Sequence, residues 1–191
     1  MSGILEYMNF IETYHIPDGD LCERIIEWFE NNTEKHQGYV DYGNVDKNTK
    51  DSTDCLFYGP LTSEYGKFLF SFIEDYKVKH PFCSENVKAW SLYPLVNIQK
   101  YEPGCYYKRI HCERVSGEGA IGKRHLVFMT YLNTVNEGGE TRFPQQNINV
   151  KPVRGKTLIW PAEWTHSHVG IPAPNETKYI VTGWISFEPH E

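Results

Sequence analysis

The hydrophobic period of the chain changes near Pro94, and this change restricts the folds it can adopt. Before Pro94, apolar residues recur every three or four positions, as they do on the buried face of a helix. After Pro94, short runs rich in β-branched and aromatic residues alternate with turn sequences, as in antiparallel sheets. Helices and strands are therefore expected in separate parts of an α+β chain that is mostly β.

Two helices are predicted before Pro94. Asp20 and Glu23 have the spacing of a capping box, and the apolar stripe that follows predicts a helix ending near residues 31–32. A second stripe, over residues 65–76, follows a candidate helix cap at residues 62–63. Both helices are expected to pack on one face of the sheet formed by the later strands.

The remaining segments complete an expected jelly roll. Residues 36–59 are polar and turn-rich, which predicts a long surface loop. Five strands are predicted at residues 95–101, 124–133, 147–150, 156–160 and 178–187. Turns separate them at the spacing of short antiparallel strands in two sheets. We expect one domain over residues 1–191, with helical support and a surface loop in 1–90 and the jelly-roll core in 91–191.

Composition and net charge limit the classes of binding partner and the cellular compartment that we expect. The net charge of −6 argues against nucleic acid and acidic membranes and favours a peptide or small molecule. No stretch approaches the roughly 18 apolar residues that span a membrane, and residues 1–20 lack the features of a signal peptide. The cysteines are scattered without CxxC pairs: Cys22, Cys55, Cys83, Cys105 and Cys112. A reduced, cytoplasmic setting is expected, while the oligomeric state is left open.

His111 and Glu113 form the first part of a predicted metal site. In an extended segment both side chains project to one side, so both can bind one ion. The pair alone also fits an exposed histidine beside a solvated glutamate. A second histidine would complete a site with three open positions, which suits Fe(II). His166 and His168 would share a face in an extended segment, so alternation does not choose between them.

Lys178 is predicted to need an anionic partner. It shares a strand face with Ile180, Thr182 and Trp184, a largely apolar set that belongs in the interior. An unpaired ammonium there would cost several kcal/mol. A ligand with a carboxylate would provide the missing negative charge.

Several segments together resemble the catalytic half of the iron and 2-oxoglutarate dependent oxygenases, in particular the prolyl 4-hydroxylase branch. They are residues 99–104, 106–111, 138–144 and 168–178. The resemblance covers residues 95–188 and implies a double-stranded β-helix, a form of jelly roll. It also implies that Fe(II) is held by His111, Glu113 and His168, because His168 stands ten residues before Lys178, as the distal ligand does in the family.

The same resemblance assigns the cosubstrate contacts. Lys178 would bind the distal carboxylate of 2-oxoglutarate, and Tyr101 and Tyr131 would hydrogen-bond the cosubstrate, with Thr141 as a further contact. The family usually has aspartate in place of Glu113. A side chain one methylene longer still supplies an anionic oxygen, so the difference bears on the geometry of the metal site.

Three further residues are candidate substrate contacts. Arg124 and Trp184 match positions that line the substrate groove in some members of the family. Tyr107 is an aromatic residue expected to reach the mouth of the pocket.

The resemblance implies a hydroxylase that consumes 2-oxoglutarate and O2 and converts a C–H bond to an alcohol. A prolyl residue in a peptide or protein is the first candidate substrate, and a free amino acid or another small substrate is the alternative. A non-catalytic jelly roll that holds a divalent ion is a further alternative, since zinc accepts the same ligand types. The sequence does not decide whether ascorbate is required.

Overall fold

The computed structural model describes residues 9–17, 19–40 and 43–188. Residues 1–8, on which the expected lack of a signal peptide partly rests, lie outside the described residues. The elements, in chain order, are β1 (Glu12–His15), α1 (Gly19–Asn31), β2 (His36–Gln37), β3 (Thr53–Phe57), α2 (Pro60–Lys79), α3 (Phe82–Glu85), β4 (Trp90–Leu92), β5 (Val96–Tyr101), α4 (Gly119–Gly122), β6 (Arg124–Tyr131), β7 (Thr141–Phe143), β8 (Ile148–Val150), β9 (Lys156–Pro161), a 3-10 turn (Trp164–His166), β10 (Val169–Gly170) and β11 (Lys178–Phe187).

Two antiparallel sheets form the predicted jelly roll. The larger sheet has the strand order β1-β9-β6-β11-β5-β3-β2, with β4 paired to the end of β11, and the smaller has the order β10-β7-β8. Phe143 and Val150 of the smaller sheet share one buried cluster with Trp160 and Ile180 of the larger sheet. The two sheets therefore face each other across a common interior, which confirms the predicted fold class.

Strand β11 shows how the sequence period sets the two faces of the larger sheet. Ile180 and Trp184 pack in the cluster between the sheets, whereas Val181 and Ile185 pack in the cluster below the helices. Successive side chains of a strand point to opposite faces, so Lys178 lies on the same face as Ile180. The first residue of β11 is thus carried into the space between the sheets.

The two main helices cover the outer face of the larger sheet, as predicted. Helix α1 ends at Asn31, and helix α2 begins at Pro60, slightly before the cap predicted at residues 62–63. Proline is suited to the first turn because its missing N–H has no partner there, and Gly59 before it has a positive φ of 91° that favours glycine. No helix in the described part of the chain has the length and apolar character needed to cross a membrane.

The surface loop predicted at residues 36–59 is wrong in part. Strands β2 and β3 lie within it, and β3 pairs with β5 inside the larger sheet. Cys55 and Phe57 pack below the helices, while the neighbouring Asp54 faces the opposite side and is only 2% exposed. Strand β3 was not predicted because its other side carries polar residues, and strand prediction depends on apolar residues at one or both faces.

A buried hydroxyl network ties helix α2 to the sheet and can be tested. The Tyr65 hydroxyl is 2.8 Å from Thr130 Oγ1, which is 2.7 Å from Thr157 Oγ1. We expect Thr130→Val to destabilise the protein by about 2–3 kcal/mol, because two buried hydroxyls lose a partner at almost constant volume. Tyr65→Phe, which leaves the two threonines bonded, should cost about 1 kcal/mol. Urea unfolding measures both, and equal losses would contradict this account.

Candidate metal and cosubstrate site

The backbone brings the two predicted histidine ligands together. His111 N–H donates to the His168 carbonyl at 3.0 Å, and His168 N–H donates to the His111 carbonyl at 2.8 Å. This isolated antiparallel bridge joins the irregular segment after β5 to the start of β10. The two imidazole rings consequently lie with their centroids 4.4 Å apart.

Glu113 completes a three-residue cluster with these histidines. Its Oε1 lies 3.6 Å from His111 Nε2 and 3.5 Å from His168 Nε2. Neighbouring donors about 2.1 Å from one ion are separated by about 3 Å, so small side-chain movements would suffice to hold a metal. Among the described residues, no other group of three histidine, cysteine or carboxylate side chains meets in this way. The predicted ligands therefore fit a single divalent ion.

Hydrogen bonds set the tautomers of both rings. His111 Nδ1 donates to the Arg109 carbonyl at 2.9 Å, and His168 Nδ1 donates to the His166 carbonyl at 3.1 Å. A carbonyl only accepts, so the proton of each neutral ring is on Nδ1 and the lone pair is on Nε2. Loss of solvent, with contributions from His168 and Lys50, lowers the pKa of His111 to about 4. His111 is thus neutral at pH 7, the form that binds metal.

The carboxylate of Glu113 stays ionised and is held on one oxygen. Burial acts to raise its pKa, but the adjacent His168 and His111 imidazoles and the positive charge of Arg124 bring the pKa well below its usual range. Trp184 Nε1 donates to Oε2 at 2.8 Å, and Arg124 lies 3.4 Å from the same oxygen. The other oxygen, Oε1, is the one that faces the histidines. Two histidines and one carboxylate form the donor set that suits Fe(II).

The structure separates His168 from His166, which strand alternation alone did not. His166 lies in the 3-10 turn Trp164–His166, so the segment is not extended as far as His166. Its Nε2 lies 2.8 Å from the Asn9 carbonyl, and that contact directs the ring away from the cluster. His168 alone of the two meets Glu113, as the resemblance implied.

A cavity of about 380 Å³ extends from the metal cluster between the sheets. Lys178 lines it and is 4% exposed, with its ammonium donating to the Gly139 carbonyl at 3.0 Å. Burial lowers the pKa of Lys178 to about 8, against a smaller opposing effect of Glu140. Within the described part of the chain, no carboxylate lies at ion-pair distance from this ammonium. Lys178 therefore offers a cationic contact for a ligand inside the cavity.

Two of the predicted cosubstrate contacts line this cavity, and a third lies behind its wall. Tyr101 and Thr141 line it, and the ammonium of Lys178 lies 5.1 Å from the centre of the Tyr101 ring. Tyr131 lies behind the wall, where its hydroxyl donates to Thr141 Oγ1 at 2.7 Å and is 3.1 Å from the Val150 carbonyl. Direct contact of Tyr131 with a ligand stays a prediction, and its observed contact is with Thr141.

The three candidate substrate residues all line the cavity. The Tyr107 ring stacks on His111 with 3.8 Å between centroids and 19° between planes. Arg124 and Trp184 also hydrogen-bond directly to Glu113, so both residues border the predicted metal cluster as well as the cavity. Their contact with substrate stays a prediction.

Sequence reasoning missed a buried ion pair in the cavity wall. Lys50 Nζ lies 2.7 Å from Asp54 Oδ2, and both side chains are at most 5% exposed. Ser52 Oγ and Asn97 Nδ2 also donate to the Asp54 carboxylate. Asp54 lies on strand β3. The apolar residues Cys55 and Phe57, two positions apart, were the signal that could have revealed this strand.

The matching family model covers residues 96–186 and describes the 2OG-Fe(II) oxygenase superfamily. A curated relative, prolyl 4-hydroxylase 13 of Arabidopsis thaliana, is 26% identical over 123 residues. This match covers 52% of the present chain and 45% of the relative, so the chain spans less than half of that protein's length.

Solved structures of prolyl hydroxylases share the fold. The viral collagen prolyl hydroxylase of Paramecium bursaria Chlorella virus-1, in its 2OG complex, has a TM-score of 0.70 at 20% identity, covering 94% of this chain and 97% of the other. A Trichoplax adhaerens prolyl hydroxylase, in complex with a hypoxia inducible factor peptide fragment, has a TM-score of 0.73 at 15% identity, covering 94% and 84%. At these identities the structures establish the common fold.

The two neighbouring histidines provide a matched test of the metal site. We expect His168→Ala to weaken Co(II) or Zn(II) binding at least about 100-fold, because it removes one of three ligands. His166→Ala should bind metal nearly as the unaltered protein does, because its ring bonds to a carbonyl outside the cluster. Isothermal titration calorimetry in the absence of oxygen measures both affinities. A greater loss in the His166 variant would contradict the assignment.

Proposed function

Residues 96–186 belong to the 2OG-Fe(II) oxygenase superfamily, and from this premise we propose that the chain is a dioxygenase that hydroxylates a C–H bond with Fe(II), O2 and 2-oxoglutarate. One observation carries the proposal. His111, Glu113 and His168 converge beside a cavity that also holds the buried ammonium of Lys178. A structural zinc site would not need such a cation, whereas a dicarboxylate cosubstrate would.

The residues of the chain have distinct tasks in this reaction. Fe(II), when bound, supplies the activation of O2, with the oxidation of 2-oxoglutarate to succinate and CO2 balancing the oxygen atom placed in the substrate. His111, Glu113 and His168 would hold the metal. Lys178 would fix the distal carboxylate of 2-oxoglutarate as a point charge. The two sheets around the cavity would limit the access of bulk water to the reacting groups.

The proposed substrate is a prolyl residue in a peptide. The curated relative and the solved structures are prolyl hydroxylases, and one of those structures holds a peptide. The cavity mouth includes Tyr39, Val115 and Ile121, of which Tyr39 is 51% and Val115 63% exposed. An aromatic and aliphatic rim suits an apolar pyrrolidine ring presented on an extended segment.

A reducing compartment, with the cytoplasm as the expected one, is part of the proposal. Cys55, Cys83, Cys105 and Cys112 form no disulfide, which is usual where thiols are kept reduced.

A single domain is also part of the proposal. In the larger sheet, β3 pairs with β5, so strands from both halves of the chain lie side by side. This arrangement supports one domain over the chain.

The activity can be tested in two stages. Without oxygen, Fe(II) and 2-oxoglutarate together should give a visible charge-transfer absorption that neither gives alone, whereas a zinc module would stay colourless. With oxygen, a proline-rich peptide should gain one oxygen atom by mass spectrometry as succinate forms. Failure to consume 2-oxoglutarate with any substrate would refute the dioxygenase proposal. Oxidation of free amino acids but no peptide would refute the peptide part alone.

The Lys178 ammonium should make cosubstrate binding dependent on pH. Its pKa of about 8 in the free protein means that the positive charge is present below that pH and is lost above it. The carboxylates of 2-oxoglutarate are ionised throughout, so the dissociation constant should rise about 10-fold per pH unit above the pKa. Titration calorimetry from one unit below to one unit above this pKa measures the slope.

Two variants separate the charge of Lys178 from other effects of pH. Lys178→Arg keeps its charge over this range, so its dissociation constant should be nearly independent of pH. Lys178→Met should bind 2-oxoglutarate at least about 100-fold more weakly than the unaltered protein does below the Lys178 pKa, since an anionic group then lies buried without a partner, and its dissociation constant should be nearly independent of pH. An equal slope in all three proteins would show that Lys178 is not the titrating contact.

A further inference from the structure

The oxygen of Glu113 that does not face the histidines, Oε2, contacts two side chains from adjacent strands. They are Arg124 of β6 and Trp184 of β11, and we call this pair the carboxylate clamp. Trp184 Nε1 donates to Glu113 Oε2 at 2.8 Å. Arg124 donates to the Glu113 carbonyl at 2.9 Å and lies 3.4 Å from Oε2. The guanidinium carbon also lies 3.7 Å from the centre of the Trp184 ring. The three side chains therefore form a closed set of contacts.

A β-bulge in β6 directs the Arg124 side chain toward Glu113 and Trp184. Leu126 pairs with Ile185, but the next pair along β11 joins Ser186 to Arg124, so His125 is an extra residue on β6. Leu126 packs below the helices, and simple alternation would send Arg124 to that same outer face. The extra residue reverses its direction, as bulges commonly do beside functional sites. The local irregularity of β6 is thus what brings a cation to the carboxylate.

The clamp leaves one oxygen of Glu113 for the metal. Oε1 lies 3.5 Å and 3.6 Å from the two histidine Nε2 atoms, whereas Oε2 is engaged by Trp184 and Arg124. A glutamate side chain has more rotatable bonds than an aspartate and could otherwise turn away or present both oxygens. Hydrogen-bond partners behind a ligand fix its orientation toward the ion.

We propose that Arg124 and Trp184 are positioning residues that hold Glu113 Oε2, so that Oε1 alone faces the metal, and that they adapt this site to a glutamate. The inference rests on the metal site of the proposed function and concerns how its carboxylate is oriented. An aspartate would draw the carboxylate back by about one C–C bond, about 1.5 Å. It could then reach the clamp or the ion, but not both in the present geometry.

Trp184→Phe is the most selective test because it removes one N–H and keeps an aromatic ring. We expect Co(II) affinity to fall about 10-fold or more, as is usual when a partner behind a metal ligand is lost, and the visible spectrum of bound Co(II) to change. The melting temperature of the metal-free protein should change little. Trp28→Phe, on helix α1 away from the cavity, is the matched control and should leave affinity and spectrum unchanged.

Arg124 is tested by its own pair of variants. Arg124→Met should weaken Co(II) binding by about as much as Trp184→Phe. Arg124→Lys should restore only part of the loss, because an ammonium does not stack on the indole as the planar guanidinium does while also donating to Glu113. Arg142→Met, on an exposed position of β7, controls for the loss of one positive charge. Unchanged affinity and spectrum in both Trp184→Phe and Arg124→Met would overturn the proposal.

Glu113→Asp provides the decisive comparison. Although aspartate is the usual residue in the family, we expect this variant to bind Co(II) about 10-fold or more weakly. Adding Trp184→Phe to Glu113→Asp should cause little further loss, because the indole acts through the glutamate. Independent, multiplying losses would refute the clamp. All these titrations use metal without substrate or oxygen, so a protein that failed to hydroxylate any peptide would still give a readable answer.

Discussion

The pair of backbone hydrogen bonds between His111 and His168 is the contact on which the rest of the site depends. It fixes an irregular segment against the smaller sheet and sets two imidazoles side by side, although they are far apart in sequence. Because each ring also donates its Nδ1 proton to a nearby carbonyl, both Nε2 lone pairs turn toward Glu113. Backbone hydrogen bonds therefore determine the positions of two ligands, which limits the reorganisation that metal binding requires.

The interior beside this bridge concentrates positive charge in a chain whose net charge is −6. Three buried or partly buried cations line the cavity, and two of them have carboxylate partners: Lys50 pairs with Asp54, and Arg124 with Glu113. Lys178 has a carbonyl partner but no carboxylate among the described residues. Its lowered pKa means that the charged form is disfavoured by burial. Such a residue lowers the stability of the free protein and strengthens the binding of an anion, a common exchange at functional sites.

The sequence predicted those parts of the molecule that regular periods encode. Alternation along β11 correctly placed Lys178 in the interior, and the apolar stripe of helix α1 gave its end. Strand β3 was missed because its cavity face carries Asp54, a buried polar residue that looks like part of a loop until its partners are known. The choice between His166 and His168 could not be made from alternation, since the chain makes a 3-10 turn where an extended segment was assumed. Only the spacing to Lys178, through the resemblance, pointed to His168.

Arg124 shows why site residues are harder to place than core residues. A bulge at His125 reverses its direction, and one extra residue in a strand leaves no signature in hydrophobic period or composition. The resemblance placed Arg124 and Trp184 at the substrate groove, and in the structure they both line the cavity and hold Glu113. The same two side chains consequently link the wall of the cavity to the orientation of Glu113. A group in the cavity that displaced the Trp184 ring would also release Oε2, so the shape of this part of the cavity and the orientation of Glu113 cannot vary independently in this chain.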